Sequence, residues 1–257
     1  MTPSIQQSYQ QQTEFWRKNY PKLVGDFEQR PLAVEILVNS FEDDIKDELI
    51  LDAGCGTGYV SRMLAQRGAD VHGVDNSNKM LAIAEEIEKA NPLGINYYFG
   101  DITCLHFGSD CYEGIICTGV VPYLSPEQYG AFLNEAKRVL IENCPLVITS
   151  IHPSMFNHGS PARKRGKCWV KLSPLEDVSI DRSQIFSQQL YDINGNCFSS
   201  EIWHHPLSFL VNSLTKRNFR VEEVQEPVFR EHYRRVSPSW GTEYDYPSHL
   251  IIKARKE

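Results

Sequence analysis

The chain has 257 residues, 41% of them hydrophobic, and a formal net charge of -7. That length supports one sizeable α/β core, and the acidic balance argues against an overall electrostatic attraction to nucleic acid. No apolar run approaches the roughly 18 residues of a transmembrane helix, and the Gln-rich start lacks the apolar stretch of a secretory signal.

Residues 1–28 read as an N-terminal amphipathic helical cap carrying Tyr9, Phe15 and Trp16, and Pro31 suits the start of a further helix. From residue 48 strands and helices alternate. A buried strand over 48–52 runs into Gly54-Cys55-Gly56-Thr57-Gly58, and a helix over 59–67 follows, closed by Gly68. A second strand over 71–74 ends at Asp75, and the next helix spans 77–89. Strands at 95–99, 114–117 and 146–151 bracket a helix over 125–140 capped by Ser125. This rhythm predicts an α/β fold, a mostly parallel sheet covered on both faces.

The rhythm breaks after His152-Pro153. Residues 154–184 read as polar, basic and irregular, with a cationic run over 163–171. Two strand-like runs, 184–191 and 197–203, flank Asn194-Gly195, a β-hairpin signal. A helix over 207–216 and strands over 219–224 and 249–253 close the chain. The expected organisation is a cap over 1–28 and one domain over 29–257. An insertion at about 154–205 is placed to cover the ends of the sheet, where ligands bind in such folds.

Seven cysteines, at 55, 104, 111, 117, 144, 168 and 197, form no Cys-x-x-Cys pair. A disulfide framework or structural zinc is therefore not expected, and the compartment reads as reducing and cytoplasmic.

The strongest chemical signal is the strand, glycine-rich turn and helix over 49–67. Glycines let backbone approach a ligand closely, and the helix start offers free N–H groups. Asp75, 21 residues after Gly54, can accept from two ribose hydroxyls. Together these predict a nucleoside-containing cofactor. Asp52 precedes the turn and would repel a pyrophosphate but could pair with a methionine amino group, directly or through water. That favours S-adenosylmethionine over a dinucleotide.

Asp52-Ala53-Gly54-Cys55-Gly56-Thr57-Gly58 resembles motif I of the class I S-adenosylmethionine-dependent methyltransferases. Gly73-Val74-Asp75-Asn76-Ser77 with Met80, Leu81 and Ala84 resembles their second motif. Phe99-Gly100-Asp101-Ile102 and the run Tyr112 to Leu124 resemble later ones. The late part of the chain is similar to the small-molecule (methyltransferase type 11/25-like) branch. The resemblance implies a Rossmann-like three-layer sandwich with a seven-stranded, mostly parallel sheet whose last strand is antiparallel, here with an inserted β-hairpin or lid. It implies cofactor-binding roles for Asp52, Ala53, Gly54, Gly56, Asp75, Asn76, Met80, Asp101, Ile102 and Thr118. Met80 reads equally well as plain core, and a helix or turn cap is the lesser reading of Asp101.

For the acceptor the candidates are Tyr9, Tyr123, His152 and His204, with His152 as a candidate catalytic base. If the segment is extended, one of His204 and His205 should face in and one out. The polar residue that nucleic-acid amino methyltransferases place before Pro-Tyr is absent, since Val120-Val121 precede Pro122-Tyr123. Cys117 and Thr118 stand where metal-dependent relatives carry a carboxylate, so no metal is expected. The leading expectation is methyl transfer to nitrogen or oxygen of a small-molecule acceptor. Alternatives are a protein or RNA methyltransferase using the basic run, and a non-catalytic cofactor-binding protein. An NAD-dependent oxidoreductase is disfavoured by Asp52 and by the absence of a Tyr-x-x-x-Lys pair. Oligomeric state is not readable from the sequence.

Overall fold

A computed structural model describes residues 41, 44–157, 169–174, 181–191, 197–227, 247 and 249–257. The expected N-terminal cap, Tyr9 with it, lies outside the described residues. So does the basic run 163–171, apart from the backbone of 169–171.

Five parallel strands follow the sequence pattern: β1 (Leu49–Ala53), β2 (Asp70–Asp75), β3 (Asn96–Phe99), β4 (Gly114–Thr118) and β5 (Pro145–Ile151). Between them run α1 (Tyr59–Gln66), α2 (Asn78–Ala90) and α3 (Pro126–Val139). α3 starts on a capping box in which Ser125 Oγ accepts from Gln128 N and the Gln128 side chain accepts from Ser125 N. A one-turn α4 (Ser154–Asn157) leads to β6 (Trp169–Pro174), β7 (Gln184–Tyr191) and β8 (Cys197–His204). Then come α5 (Leu207–Thr215), β9 (Phe219–Gln225) and β10 (His249–Lys256).

The main sheet has the order β3-β2-β1-β4-β5-β10-β9. β10 is antiparallel to both of its neighbours, as expected for a last strand of opposite sense. Alternation along the central strands makes the two outer layers. Leu51, Ile115, Cys117, Leu146, Ile148, Leu250 and Ile252 face the core completed by α3 and α5. Ile50, Ile116, Val147 and Ile251 face the opposite core with Phe41, Ile45, Val60 and Leu64. Each such aliphatic side chain, fully buried, contributes about 1.5–3 kcal/mol. The three-layer sandwich follows from this period of two.

β6, β7 and β8 form a separate three-stranded antiparallel sheet. The hairpin expected at 184–203 is its β7–β8 pair. The third strand, β6, falls within the stretch read as irregular. Its Trp-Val-Lys-Leu-Ser-Pro sequence is short and adjoins the basic run, which masks its period-two signal. Among the described residues no helix is long and apolar enough to cross a membrane.

Candidate cofactor and acceptor site

The C-terminal end of β1 turns sharply back onto β2. Gly54 and Cys55 both donate backbone N–H to Val74 O, at 2.8 and 3.0 Å. The turn requires left-handed backbone, with φ +80° at Gly54, +55° at Gly56 and +77° at Gly58. Space is equally restrictive. A Cβ on Gly54 would overlap Val120 Cγ2, and one on Gly58 would overlap the Tyr97 hydroxyl. Val120, absent from the expected site residues, is therefore the wall that fixes Gly54. Only a contact across the sheet, with no sequence signature, reveals it.

Asp75 ends β2 beneath this turn. One carboxylate oxygen accepts from Gly56 N at 2.9 Å, the other from Ser77 N at 2.8 Å. Burial pushes its pKa up, and the two backbone donors pull it back. Each oxygen retains lone-pair capacity for a further donor. Asn76 follows at the strand end, half-buried, and Ser77 caps α2, which carries Met80 fully buried.

Asp52 lies one step deeper, 1% exposed, and accepts from Ser61 Oγ at 2.6 Å. Burial raises its pKa to about 7, with hydrogen bonds from Ser61 opposing. The carboxyl thus belongs to the β1–α1 junction in this structure, and Ser61, missed in the sequence, is its partner. The raised value sets a pH dependence. The folded state holds the proton more tightly than the unfolded one between about pH 4 and 7. Stability therefore falls as pH rises through that window, by up to roughly 4 kcal/mol at 1.36 kcal/mol per pK unit. Asp75 pulls in the same direction. The expected result is that Asp52→Asn melts higher than the parent at pH 8 without ligand and shows a flatter pH–stability curve between pH 4 and 7. Thermal denaturation across that range reads it directly.

Asp101 follows β3 and is exposed, its Oδ1 accepting from Thr103 N and Thr103 Oγ1, both at 2.8 Å. It closes a turn, and Oδ2 makes no hydrogen bond among the described residues. Ile102 is buried in the core beside Val74 and Leu105. Thr118, at the C-terminal end of β4, supplies a buried hydroxyl with no hydrogen-bond partner among the described residues. An orphan of this kind costs about 1–3 kcal/mol unless a ligand satisfies it.

The residues after β4 lead to the small sheet. A 3-10 turn at Val121–Tyr123 packs against β8 and β5. The Tyr123 hydroxyl donates to Gln188 Oε1 at 3.4 Å, and Ser200 Oγ donates to the same oxygen at 3.1 Å. Gln188 and Ser200 are buried and directly paired across β7–β8. Neither was singled out from sequence, although both occupy the same alternating face as Phe186 and Ile202. His152 is engaged at both ring nitrogens, Nδ1 to Ser154 Oγ at 2.7 Å and Nε2 to Glu226 Oε1 at 2.6 Å. Ser154 N also approaches Nδ1 at 3.1 Å, and Ser154 Oγ donates to Pro247 O at 2.9 Å.

His204 and His205 are both buried, so the expected in-and-out split does not occur: both faces of β8's end are covered. His205 bonds Ser183 Oγ at 2.8 Å and Leu124 O at 3.0 Å, stacks on Phe209, and has its pKa lowered by burial to about 4. His204 is 1% exposed, and neither ring nitrogen has a hydrogen-bond partner among the described residues. The Arg182 backbone, which would favour its charged form, does not offset the burial that pushes its pKa down.

Residues 50–143 match the family profile described as "Methyltransferase domain". Over those residues the chain carries a class I S-adenosylmethionine-dependent methyltransferase domain. The chain is 23% identical over 252 residues to an uncharacterized protein of Haemophilus influenzae, covering 92% of the chain and 90% of that protein. It is 31% identical over 104 residues to the ubiquinone biosynthesis O-methyltransferase of Coxiella burnetii and spans 40% of that enzyme's length. A solved S-adenosylmethionine-dependent methyltransferase from Mesorhizobium loti superposes with a TM-score of 0.62 at 22% identity, over 86% of this chain and 96% of that one.

The site fits S-adenosylmethionine, the cofactor of the family. The strained glycine turn leaves room only for backbone, Asp75 keeps acceptor capacity, and the Thr118 hydroxyl awaits a partner. Among the described residues no group of His, Cys, Asp and Glu could hold a metal ion.

Proposed function

We propose that this methyltransferase moves a methyl group to an oxygen of a small-molecule acceptor, by in-line displacement. The observation that carries the reading is the buried face of the small sheet. In register across β7–β8 it presents Phe186, Gln188, Ser200, Ile202 and His204, beside the turn that follows Thr118. A covered face that mixes rings with hydrogen-bonding groups suits a compact acceptor better than a macromolecule. The Coxiella enzyme matched in the shared domain is named as an O-methyltransferase, which favours oxygen over nitrogen.

Bound S-adenosylmethionine supplies an activated sulfonium methyl. In this reading the chain supplies alignment and exclusion of water. Gly54 and Gly56 offer backbone to the methionine end, with Ala53 beside them. Asp75 accepts from the ribose, Asn76, Met80 and Ile102 flank the adenine, and Asp101 accepts from its amino group. Asp52 acts through the turn it anchors, by way of Ser61. Thr118 and Tyr123 border the reaction zone. His152 is a brace: its bonds to Ser154 and Glu226 tie the end of β5 to the end of β9. Tyr9, the remaining acceptor candidate, lies outside the described residues.

The test is S-adenosylhomocysteine release by the full chain with S-adenosylmethionine and a panel of phenols, aliphatic alcohols and primary amines. Methylated product from hydroxyl compounds, with amines inert, is the expected result. Product from amines alone overturns the choice of oxygen. Transfer only to protein or RNA, falling steeply with salt, overturns the small-molecule reading.

A further inference from the structure

β8 ends on two adjacent histidines with opposite circumstances. His205 is a satisfied structural residue, bonded at both nitrogens and stacked. His204 is buried as deeply, yet neither nitrogen makes a well-formed hydrogen bond among the described residues, the Arg182 backbone being the polar group beside the ring. Packing explains its position but not its chemistry. Its ring lies edge-on to Phe156 at 4.9 Å and tilted against Phe186 at 6.0 Å, and the two phenyl rings meet edge-to-face at 4.9 Å. A phenylalanine would fill that space without burying two ring nitrogens that no well-formed hydrogen bond holds. These rings form a small core of their own with Ile202, bordered by Tyr123 and Ile151. Ile151 closes β5, and Tyr123 lies in the turn after β4. The cluster therefore stands at the carboxyl end of the main sheet, on the acceptor side of Thr118.

We propose that His204 selects the acceptor, by hydrogen-bonding a hydroxyl carried on an aromatic ring that enters this cluster. The assignment rests on the small-molecule O-methyltransferase reading above and narrows its substrate class to phenols and related hydroxyarenes. Edge-to-face geometry is what ring walls offer a planar guest. A neutral imidazole presents one donor and one acceptor, so it can answer a hydroxyl as either. Burial disfavours the charged form, which keeps the ring in that neutral state. Gln188 and Ser200, farther along the same face, sit where a second polar substituent of the ring would arrive. His204 is a specificity residue in this scheme.

The test is calorimetric binding of catechol and of its dimethyl ether, veratrole, to the full chain saturated with S-adenosylhomocysteine. The two probes share the ring and differ in hydroxyl donors. The wild type is expected to favour catechol by about tenfold or more, because a site built for a hydroxyl rejects an analogue that lacks it. His204→Phe should reduce that preference to less than about twofold while leaving S-adenosylhomocysteine affinity unchanged, and His204→Gln should restore part of it. A wild type that binds both probes equally, or neither, overturns the proposal, as does a preference that survives in His204→Phe. If His204→Phe does not fold, the wild-type probe pair and His204→Gln decide alone. Loss of this inference leaves turnover of other hydroxyl compounds intact. Failure of the broader reading would appear instead as no turnover of any small hydroxyl compound.

Discussion

Asp75→Ala is expected to weaken S-adenosylhomocysteine binding by about 100-fold or more, the largest single effect at the cofactor site. Two losses combine. The carboxylate holds the Gly56 and Ser77 amides at 2.9 and 2.8 Å, so its removal releases the glycine turn and the start of α2. It also removes the acceptor assigned to the ribose hydroxyls. Hydrogen bonds to a charged group contribute about 1.5–3 kcal/mol each, and 1.4 kcal/mol is tenfold in affinity. Asp75→Asn separates the two parts. An amide oxygen can still accept from one backbone N–H, but the amide nitrogen repels the other donor. It should fall between wild type and alanine. Isothermal titration with S-adenosylhomocysteine gives all three values. Alanine within threefold of wild type would remove Asp75 from the binding site.

Gly54→Ala is expected to destabilise the fold by about 2–4 kcal/mol and to abolish measurable cofactor binding. Left-handed backbone costs a non-glycine residue roughly 1–2 kcal/mol. The new methyl also overlaps Val120 Cγ2, and overpacking a tight site adds about 1–3 kcal/mol. The two terms can be told apart. Val120→Ala removes the overlapping atom and leaves the backbone conformation at φ +80° unchanged. The double variant Gly54→Ala with Val120→Ala should therefore recover the steric part only. Chemical denaturation of the two single variants and the double closes the cycle. Strict additivity would show that Val120 is not the wall against Gly54.

The Rossmann-like core was legible because its signals are local and redundant. A buried apolar strand at Leu49–Ala53, a glycine turn and an acid at the end of β2 each point the same way, and Asp75 stands beneath the turn. Where a local and a ligand role compete for one residue, the sequence is ambiguous. Asp101 is such a case: its turn-closing bonds to Thr103 match the cap reading without removing the adenine role. Partners brought in from elsewhere in the fold were less legible. Val120, Ser61, Gln188 and Ser200 matter through contacts made across the fold, and nothing in their flanking residues announces those partners. The split expected for His204 and His205 failed because it assumes a strand with one solvent face. Here Phe156 and Phe186 cover one side, and Tyr129 and Phe209 the other.

The place of β10 carries a consequence for how the protein is made. It is threaded between β5 and β9, pairing residues 249–255 with 145–151, and it contributes Leu250, Ile252 and Ala254 to the larger core. On the ribosome β5 emerges long before its partner. Until β10 arrives, a buried-type strand waits with an open edge, and the larger core stays incomplete beside it. The nascent chain thus passes through a stage that can pair with its neighbours on a polysome instead of with itself. Yield in the cell should depend on translation rate and on holdase chaperones more than the stability of the finished domain would suggest.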